Sequence, residues 1–443
     1  MPRSNIFQTI VLVLFIGALV IAVLLFAGVI PGFRDTIGGK GGEIVIWGTA
    51  PSVSIETILD RVNGEYRNAF IFAYEAQNPD TYEQDLIEAL AAGKGPDLFI
   101  MPQDFVVRHE DKIFAIPFDM LSERAFKDTF IQEGELYLSQ NGIIALPLVV
   151  DPMIMYWNRN IFSQGGFPKP PSYWDEMLTL APALSVRDSN KNIITSAIAF
   201  GEFANVVHAK DILSLLFLQA GEEVISRTQE GFSVTFGQRD ATNQSPAESV
   251  VRFYTEFSDA AKTTYSWNRS LPSSRDMFVK EDLALYFGYG SERADIMAKN
   301  PHLNFDIAPV PQIRGNKTQV TFGRMQGIAI ARNAKLVAEK DPEKIQIIVS
   351  AASALTDSSV AEAFGENISL APARRDLLSK SKPDAVLPVV YQSALMARGW
   401  LDPNADRTYT IFKDMIENIS SGRLSIGSAV VSAGEQVAAE VRQ

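Results

Sequence analysis

The hydrophobic pattern of the chain opens with one unbroken apolar run. Residues 10–30 contain 21 positions and no charged or polar side chain. At about 1.5 Å per residue, such a helix reaches roughly 30 Å, which is the thickness of the hydrocarbon core of a bilayer. We therefore predict an N-terminal transmembrane helix over 10–30 that acts as an uncleaved signal anchor. A cleaved signal peptide and a buried helix of a soluble protein are the alternatives.

After this run, the pattern changes to short apolar stretches that alternate with amphipathic ones. The glycine-rich residues 38–42 are typical of a flexible tether. Strands are predicted over 43–47, 68–73 and 96–102, and helices over 53–66 and 81–92. This alternation predicts parallel βαβ units, which bind ligands at the carboxyl ends of their strands.

Composition narrows the classes of protein further. The 443 residues carry a formal net charge of −12, with no cysteine and three histidines. The length predicts two lobes, because single hydrophobic cores stop growing at a smaller size. The lack of cysteine excludes disulfides, thiolate metal sites and a cysteine nucleophile. Nucleic-acid binding needs a basic face, so the acidic balance argues against it. We expect no cofactor and no bound metal.

A series of short motifs follows the first strands in a fixed order. They occupy residues 93–99, 141–147, 155–158, 170–176, 277–285, 307–311 and 327–330. Their order and spacing resemble those of bacterial extracellular solute-binding proteins of the maltose-binding type, the solute-binding protein family 1. The resemblance covers roughly residues 43–443. One departure is Glu281, which stands where this family usually has glycine.

The resemblance implies an α/β fold, a two-lobed clamshell like that of the type II periplasmic binding proteins, preceded by one transmembrane helix. Residues 1–42 are then the membrane anchor with its tether. Lobe 1 comprises residues 43–150 and 327–380, and lobe 2 comprises residues 151–326 and 381–443.

The resemblance also implies a function. It predicts a non-catalytic, membrane-anchored substrate-binding subunit of an ABC importer, which captures a sugar or related small solute in the interlobe cleft and delivers it to a permease. Many relatives are held by a lipid on an N-terminal cysteine, and here residues 10–30 would replace it. The soluble body would lie on the extracytoplasmic side of the cell membrane, with the permease and the solute as partners.

Two other functions remain open at this point. A clamshell of this kind could sense a ligand or bind to surfaces without a transporter. A surface glycosidase that uses Asp104 and Asp151 as its acid pair is the enzymatic alternative.

Three candidate ligand-binding residues come from family positions. Asp104 follows a buried strand, where a carboxylate can accept hydroxyl hydrogen bonds, although a helix N-cap would look the same. Asp151 occupies the place of a hinge acid, or is a turn residue before Pro152. Tyr409 falls where sugar-binding members stack an aromatic ring on the polarised C–H face of the ligand, or is plain surface or core.

Other candidates are chosen because the family pattern is incomplete. Met101 and Ser291 stand where maltose-type members carry stacking tryptophans, which makes a long glucan less favoured. Further candidate contacts are Trp47, Tyr289, Arg324, Gln326 and Trp267, which we expect to be exposed in a loop because the segment 264–270 is polar. Trp47 in the core and Arg324 in a hinge ion pair are the alternative interpretations.

Overall fold

The computed structural model describes residues 42–228, 231–239, 245–380 and 386–441. The predicted transmembrane helix and tether residues 38–41 lie outside these ranges. Within them, no single helix is both long and apolar enough to cross a membrane. The consecutive helices Pro342–Leu355 and Ser358–Ile368 meet the criteria of length and composition only when they are taken together.

The described strands are β1 (Glu43–Gly48), β2 (Ile71–Ala76), β3 (Leu98–Pro102), β4 (Leu138–Ser139), β5 (Gly142–Ile143), β6 (Ala145–Asn158), β7 (Val186–Arg187), β8 (Ile193–Ile198), β9 (Ile225–Thr228), β10 (Gly231–Val234), β11 (Leu283–Tyr289), β12 (Phe305–Ala308), β13 (Thr321–Ile330), β14 (Ala371–Pro372) and β15 (Ala397–Arg398).

The described α-helices are α1 (Ser52–Tyr66), α2 (Tyr82–Ala91), α3 (Val106–His109), α4 (Glu123–Thr129), α5 (Arg159–Gln164), α6 (Met177–Leu184), α7 (Ala209–Gln219), α8 (Pro246–Glu256), α9 (Ser274–Val279), α10 (Arg293–Lys299), α11 (Lys335–Ala338), α12 (Pro342–Leu355), α13 (Ser358–Ile368), α14 (Arg375–Leu378), α15 (Leu387–Met396), α16 (Ala405–Ser420) and α17 (Ile426–Val441).

The described residues divide into two compact units. The first comprises the chain up to Phe99 together with Ile330–Ala354, and the second comprises Ile100–Ala329 and the chain from Leu355 onward. These boundaries do not coincide with the lobe boundaries that we predicted. Strands β6 and β13 pair with each other over residues 145–152 and 323–329, which keeps both strands in the second unit. The lobe assignment stays a prediction.

The first unit confirms the parallel βαβ pattern. Strand β1 pairs in parallel with β2 on one side and with β3 on the other. Helix α1 buries Ile55, Ile58, Leu59 and Val62, which share one face at helical spacing. Val53, the first residue of the predicted helix, is 77% exposed because it lies in the first turn, away from that face.

The second unit is built around the long strand β6. In its sheet the strands run in the order β13-β6-β11-β8-β7. Strands β13 and β11 are antiparallel to β6, whereas β8 is parallel to β11. Strand β6 is almost completely buried along its whole length. The sheet therefore provides a rigid base for the segments that leave its strand ends.

Candidate functional site

A pocket of about 460 Å³ lies in the second unit, a size typical of small-molecule sites. It is lined by the end of β3, the start of α7, strand β13 and the start of α16. Its polar and aromatic side chains are Gln103, Asp104, His208, Lys210, Asp211, Phe322, Arg324, Gln326, Trp400, Asp402, Asp406 and Tyr409.

Gln103 joins the two strands at the bottom of this pocket. Its side-chain nitrogen donates to the carbonyl of Gly323 at 3.0 Å, and its side-chain oxygen accepts from the backbone N–H of Met325 at 3.0 Å. Both bonds are buried, so the carboxyl end of β3 is held firmly against β13.

A buried carboxyl group, Glu133, lies beside this junction. It is 1% exposed, and neither of its oxygens has a hydrogen-bond partner of good geometry among the described residues. Burial raises the pKa of Glu133 to about 8, against smaller lowering effects of Arg398 and Gln103. The group is therefore held in its neutral form at pH 7.

Asp104 follows directly, in the short 3-10 helix Gln103–Phe105. Its side chain caps neither this helix nor α3, so the alternative N-cap interpretation is not what the structure shows. Burial and the charge of Asp402 raise the pKa of Asp104, while Arg108 and Lys210 lower it.

Lys210 connects the start of α7 with the segment before α16. Its ammonium group donates to Asp402 at 2.5 Å and to the carbonyl of Ala405 at 2.9 Å. Asp402 also accepts from the hydroxyl of Thr408 at 2.9 Å. The side chain of Asp402 is 8% exposed, so this ion pair is shielded from water on most sides.

Arg324 projects from β13 into the pocket. It donates to Asp211 at 2.5 Å, and its guanidinium lies 4.2 Å from the ring centroid of Tyr289. The hydroxyl of Tyr289 donates to the same carboxylate of Asp211 at 2.8 Å. Arg324 is thus oriented by an ion pair and a cation–π contact while 54% of its side chain stays exposed.

His208 precedes α7 with a left-handed backbone, φ 61°. Its Nε2 lies 2.7 Å from Glu292. Burial raises the pKa of Glu292, but His208 and hydrogen bonds from Tyr286 and from the backbone of Tyr289 outweigh it, so that the pKa lies below its usual value. A non-glycine residue in this conformation costs free energy, and the contact with Glu292 holds it in place.

Aromatic rings complete the lining. Tyr409 lies in the second turn of α16, is 46% exposed and packs edge-on against Phe203. Trp400 is 5% exposed, donates its indole N–H to Ser214 at 3.1 Å and stacks on Phe412. Tyr409 therefore offers a ring edge and face to a ligand, whereas Trp400 is fixed in the wall.

Four of the predicted contact residues line this pocket, namely Asp104, Arg324, Gln326 and Tyr409. They come together although Asp104 and Arg324 are 220 positions apart in the sequence.

Asp151 does not line this pocket. Its carboxylate accepts from the backbone and hydroxyl of Ser291 at 3.2 and 2.5 Å. Burial raises the pKa of Asp151 to about 6, although these hydrogen bonds and the charge of Arg324 lower it. Tyr289 is 2% exposed and acts on the pocket through Arg324 and Asp211.

The expectation that Trp267 is exposed is wrong. It is fully buried, and its indole N–H donates to Asn205 at 3.0 Å. Its neighbours Thr264 and Ser266 are buried as well, because their hydroxyls find internal partners. The polar composition of residues 264–270 therefore predicted a surface loop where the structure has Trp267 packed inside the protein.

Trp47 belongs to the first unit. Its side chain is half-buried and its indole N–H donates to Glu75 at 2.7 Å.

Sequence reasoning missed most of the charged lining. Lys210, Asp211, Asp402 and Asp406 were not predicted, although Asp402 and Asp406 flank Asn404, which caps α16 with its side chain. An N-cap just before the helix that carries Tyr409 was the available signal, because it marks the start of that helix and places Asp406 about one turn before Tyr409.

Comparisons with known proteins agree with this fold. The profile of the bacterial extracellular solute-binding protein family matches residues 60–374. Proteins of Brucella abortus (strain 2308) and Brucella suis biovar 1 (strain 1330) that are described as binding proteins are 29% identical over 129 residues. That match spans 26% of this chain and only 31% of the relatives, about a third of their length.

Solved structures extend the likeness to nearly the whole chain. A cyclic α-maltosyl-1,6-maltose binding protein from Arthrobacter globiformis has a TM-score of 0.72 at 13% identity, covering 90% of this chain and 99% of that one. A cyclo/maltodextrin-binding protein complexed with maltotetraose has a TM-score of 0.69 at 15% identity, covering 90% and 97%. At such identities the likeness shows the α/β fold of solute-binding proteins.

Proposed function

The chain belongs to the bacterial extracellular solute-binding protein family, and from this premise we propose that it binds a sugar or a related small solute in the pocket of its second unit. It would do so as the substrate-binding subunit of an ABC importer, without catalysing a reaction. Asp151 does not line the pocket with Asp104, so the acid pair that a glycosidase would need gains no support.

The exposed ring of Tyr409 beside aspartate carboxylates is the observation that carries this proposal. An aromatic face packs against the C–H groups of a sugar, and carboxylates accept hydrogen bonds from its hydroxyls. The structural neighbours include proteins solved with maltotetraose and with α-D-tagatose. The family and these neighbours are binding proteins, which favours capture over turnover.

The predicted anchor gives this binding a place in transport. Residues 10–30 would hold the body on the extracytoplasmic side, as the family description suggests. A tether of a few residues keeps the binding unit near a membrane permease, which raises its effective concentration there. Family membership and the predicted anchor together support delivery to a permease.

A thermal-shift assay of the full chain in detergent tests the proposal. Ligand that binds only the folded state raises Tm. We expect at least one sugar from a panel of mono- and oligosaccharides to raise it, and Tyr409→Ala to abolish that rise. Tyr173→Ala is the matched control, because Tyr173 is half-buried and does not line the pocket. A panel without any shift in the wild type would contradict the proposed binding.

A further inference from the structure

The basic side chains that line the pocket are already neutralised. Each lies against a carboxylate of the same unit, and the pairs are Lys210 with Asp402, Arg324 with Asp211, and His208 with Glu292. A ligand that brought a carboxylate or phosphate would have to compete with these internal partners for Lys210, Arg324 and His208.

Two carboxylates of the lining have no such partner. No other described residue makes a hydrogen bond or ion pair with the side chain of Asp104 or of Asp406. Asp406 is exposed in the first turn of α16, where the helix dipole favours its charge. Asp104 lies at the carboxyl end of β3, and the negative charge of Asp402 is the largest influence on its pKa after burial.

We propose that the pocket selects an amino sugar, a solute whose protonated amine lies against the carboxylate of Asp104. This inference rests on the proposed sugar-binding function and deepens it by naming the charge of the solute. Tyr409 would stack on the ring of the sugar, while the carboxylates of Asp104 and Asp406 would contact the side of the sugar that carries the ammonium group.

The balance of charge in the lining supports this choice. Four aspartates line the pocket together with one lysine and one arginine. A neutral hydroxyl can donate to Asp104, but it leaves the negative charge uncompensated in a partly desolvated site. An ammonium group removes that cost and makes a charge-assisted hydrogen bond, which is roughly twice as strong as a neutral one.

The electrostatics of Asp104 agree with this geometry. Burial and Asp402 raise the pKa of Asp104, which means that both destabilise its negative charge while the pocket is empty. A cation at this position would offset that destabilisation. Arg108 and Lys210 lower the pKa, but their effects are smaller than that of burial.

Two matched series of sugars test the inference by calorimetry on the full chain in detergent. The first is D-glucosamine, N-acetyl-D-glucosamine and D-glucose, and the second is their β-1,4-linked disaccharides. Members of a series differ only at C2, as amine, acetamide or hydroxyl. We expect the amine to bind at least about tenfold more tightly than the other two members, because a charge-assisted bond differs from a neutral one by that order.

A pair of variants locates the effect. Asp104→Asn keeps the shape of the side chain and should remove most of the tenfold preference for the amine. Asp128→Asn should keep it, because Asp128 is 72% exposed and does not line the pocket.

The outcomes separate this inference from the proposed function. Equal or tighter binding of a neutral sugar, or an amine preference that survives Asp104→Asn, overturns the inference and leaves sugar binding intact. If no sugar of these series or of the wider panel binds, the proposed function itself fails.

Discussion

Two clusters of side chains in the same pocket differ in how their charges are satisfied. The paired cluster consists of His208, Asp211 and Arg324 with Tyr289 and Glu292 behind them, and the open cluster consists of Asp104, Asp406 and Tyr409. Internal bonds fix the first cluster before any solute arrives. The second keeps its hydrogen-bonding capacity and an exposed ring, so it can make its best contacts only with a solute.

This difference indicates that the open cluster provides most of the free energy of solute binding. Charges that are paired inside the protein stabilise the folded state and orient neighbouring side chains. Charges without a partner destabilise the folded state slightly, and they gain favourable contacts when a solute binds. Removing a charged group should therefore destabilise the protein in the paired cluster and stabilise it in the open cluster, and four experiments test this difference.

The largest expected effect is the pH dependence that Asp151 creates behind the paired cluster. Its pKa is raised from 3.8 to about 6. A raised pKa in the folded state means stability that is present below pH 4 and is lost as the pH rises through 6. The loss that Asp151 causes is on the order of 2–3 kcal/mol. Urea unfolding at pH 4 and pH 7 should show it in the wild type in addition to the loss that the raised pKa of Glu133 causes, whereas Asp151→Asn should keep only the loss from Glu133. Equal losses in both proteins would refute the assignment.

Arg324→Ala should produce the next largest effect, because it leaves the buried carboxylate of Asp211 without its cation. We expect the free energy of unfolding to fall by about 2 kcal/mol, discounted for the half-exposed guanidinium. Arg124→Ala is the control, since Arg124 is 91% exposed and pairs with Asp128 at 3.6 Å. It should change stability by less than about 0.5 kcal/mol. Similar values for both variants would show that the paired cluster is not structural.

Asp104→Asn should act in the opposite direction. It removes a partly desolvated charge that has no ionic partner, so the protein should become more stable by about 1 kcal/mol at pH 7. Asp211→Asn, which removes a paired charge, should be destabilising in the same unfolding assay. A loss of stability in Asp104→Asn would mean that the carboxylate of Asp104 makes stabilising interactions in the folded protein, which would contradict the proposed difference between the two clusters.

Tyr409→Ala should have the smallest effect on folding. The ring is 46% exposed and touches Phe203 only by its edge, so stability should change by about 0.5 kcal/mol. Its effect on sugar binding should be far larger than its effect on Tm without ligand. A large destabilisation would assign Tyr409 to the core of the second unit instead.

Much of the fold could be predicted because it depends on local patterns. Short apolar runs and one helical face located β1, β3, α1 and α2 within a few residues. Strand β2 begins at Ile71, three residues later than predicted, because the residues before it form the turn that ends α1. Family membership, predicted from ordered motifs, is confirmed by the match over residues 60–374.

The site could be predicted only in part because its bonds are distant in sequence. Lys210 and Asp402 are 192 positions apart, and no local pattern signals such a pair. Trp267 shows the converse error, since its polar neighbours satisfy their hydroxyls inside the protein. Asp104 and Tyr409 could be predicted as lining residues because Asp104 follows a strand end and both match positions of the family.

The central claim, that the pocket of the second unit is the sugar site, is tested most directly by a crystal structure of the full chain with the sugar that binds most tightly. We expect density for that sugar against the ring of Tyr409 and within hydrogen-bond distance of Asp104. Density for the sugar elsewhere on the protein, with this pocket filled by water alone, would contradict it.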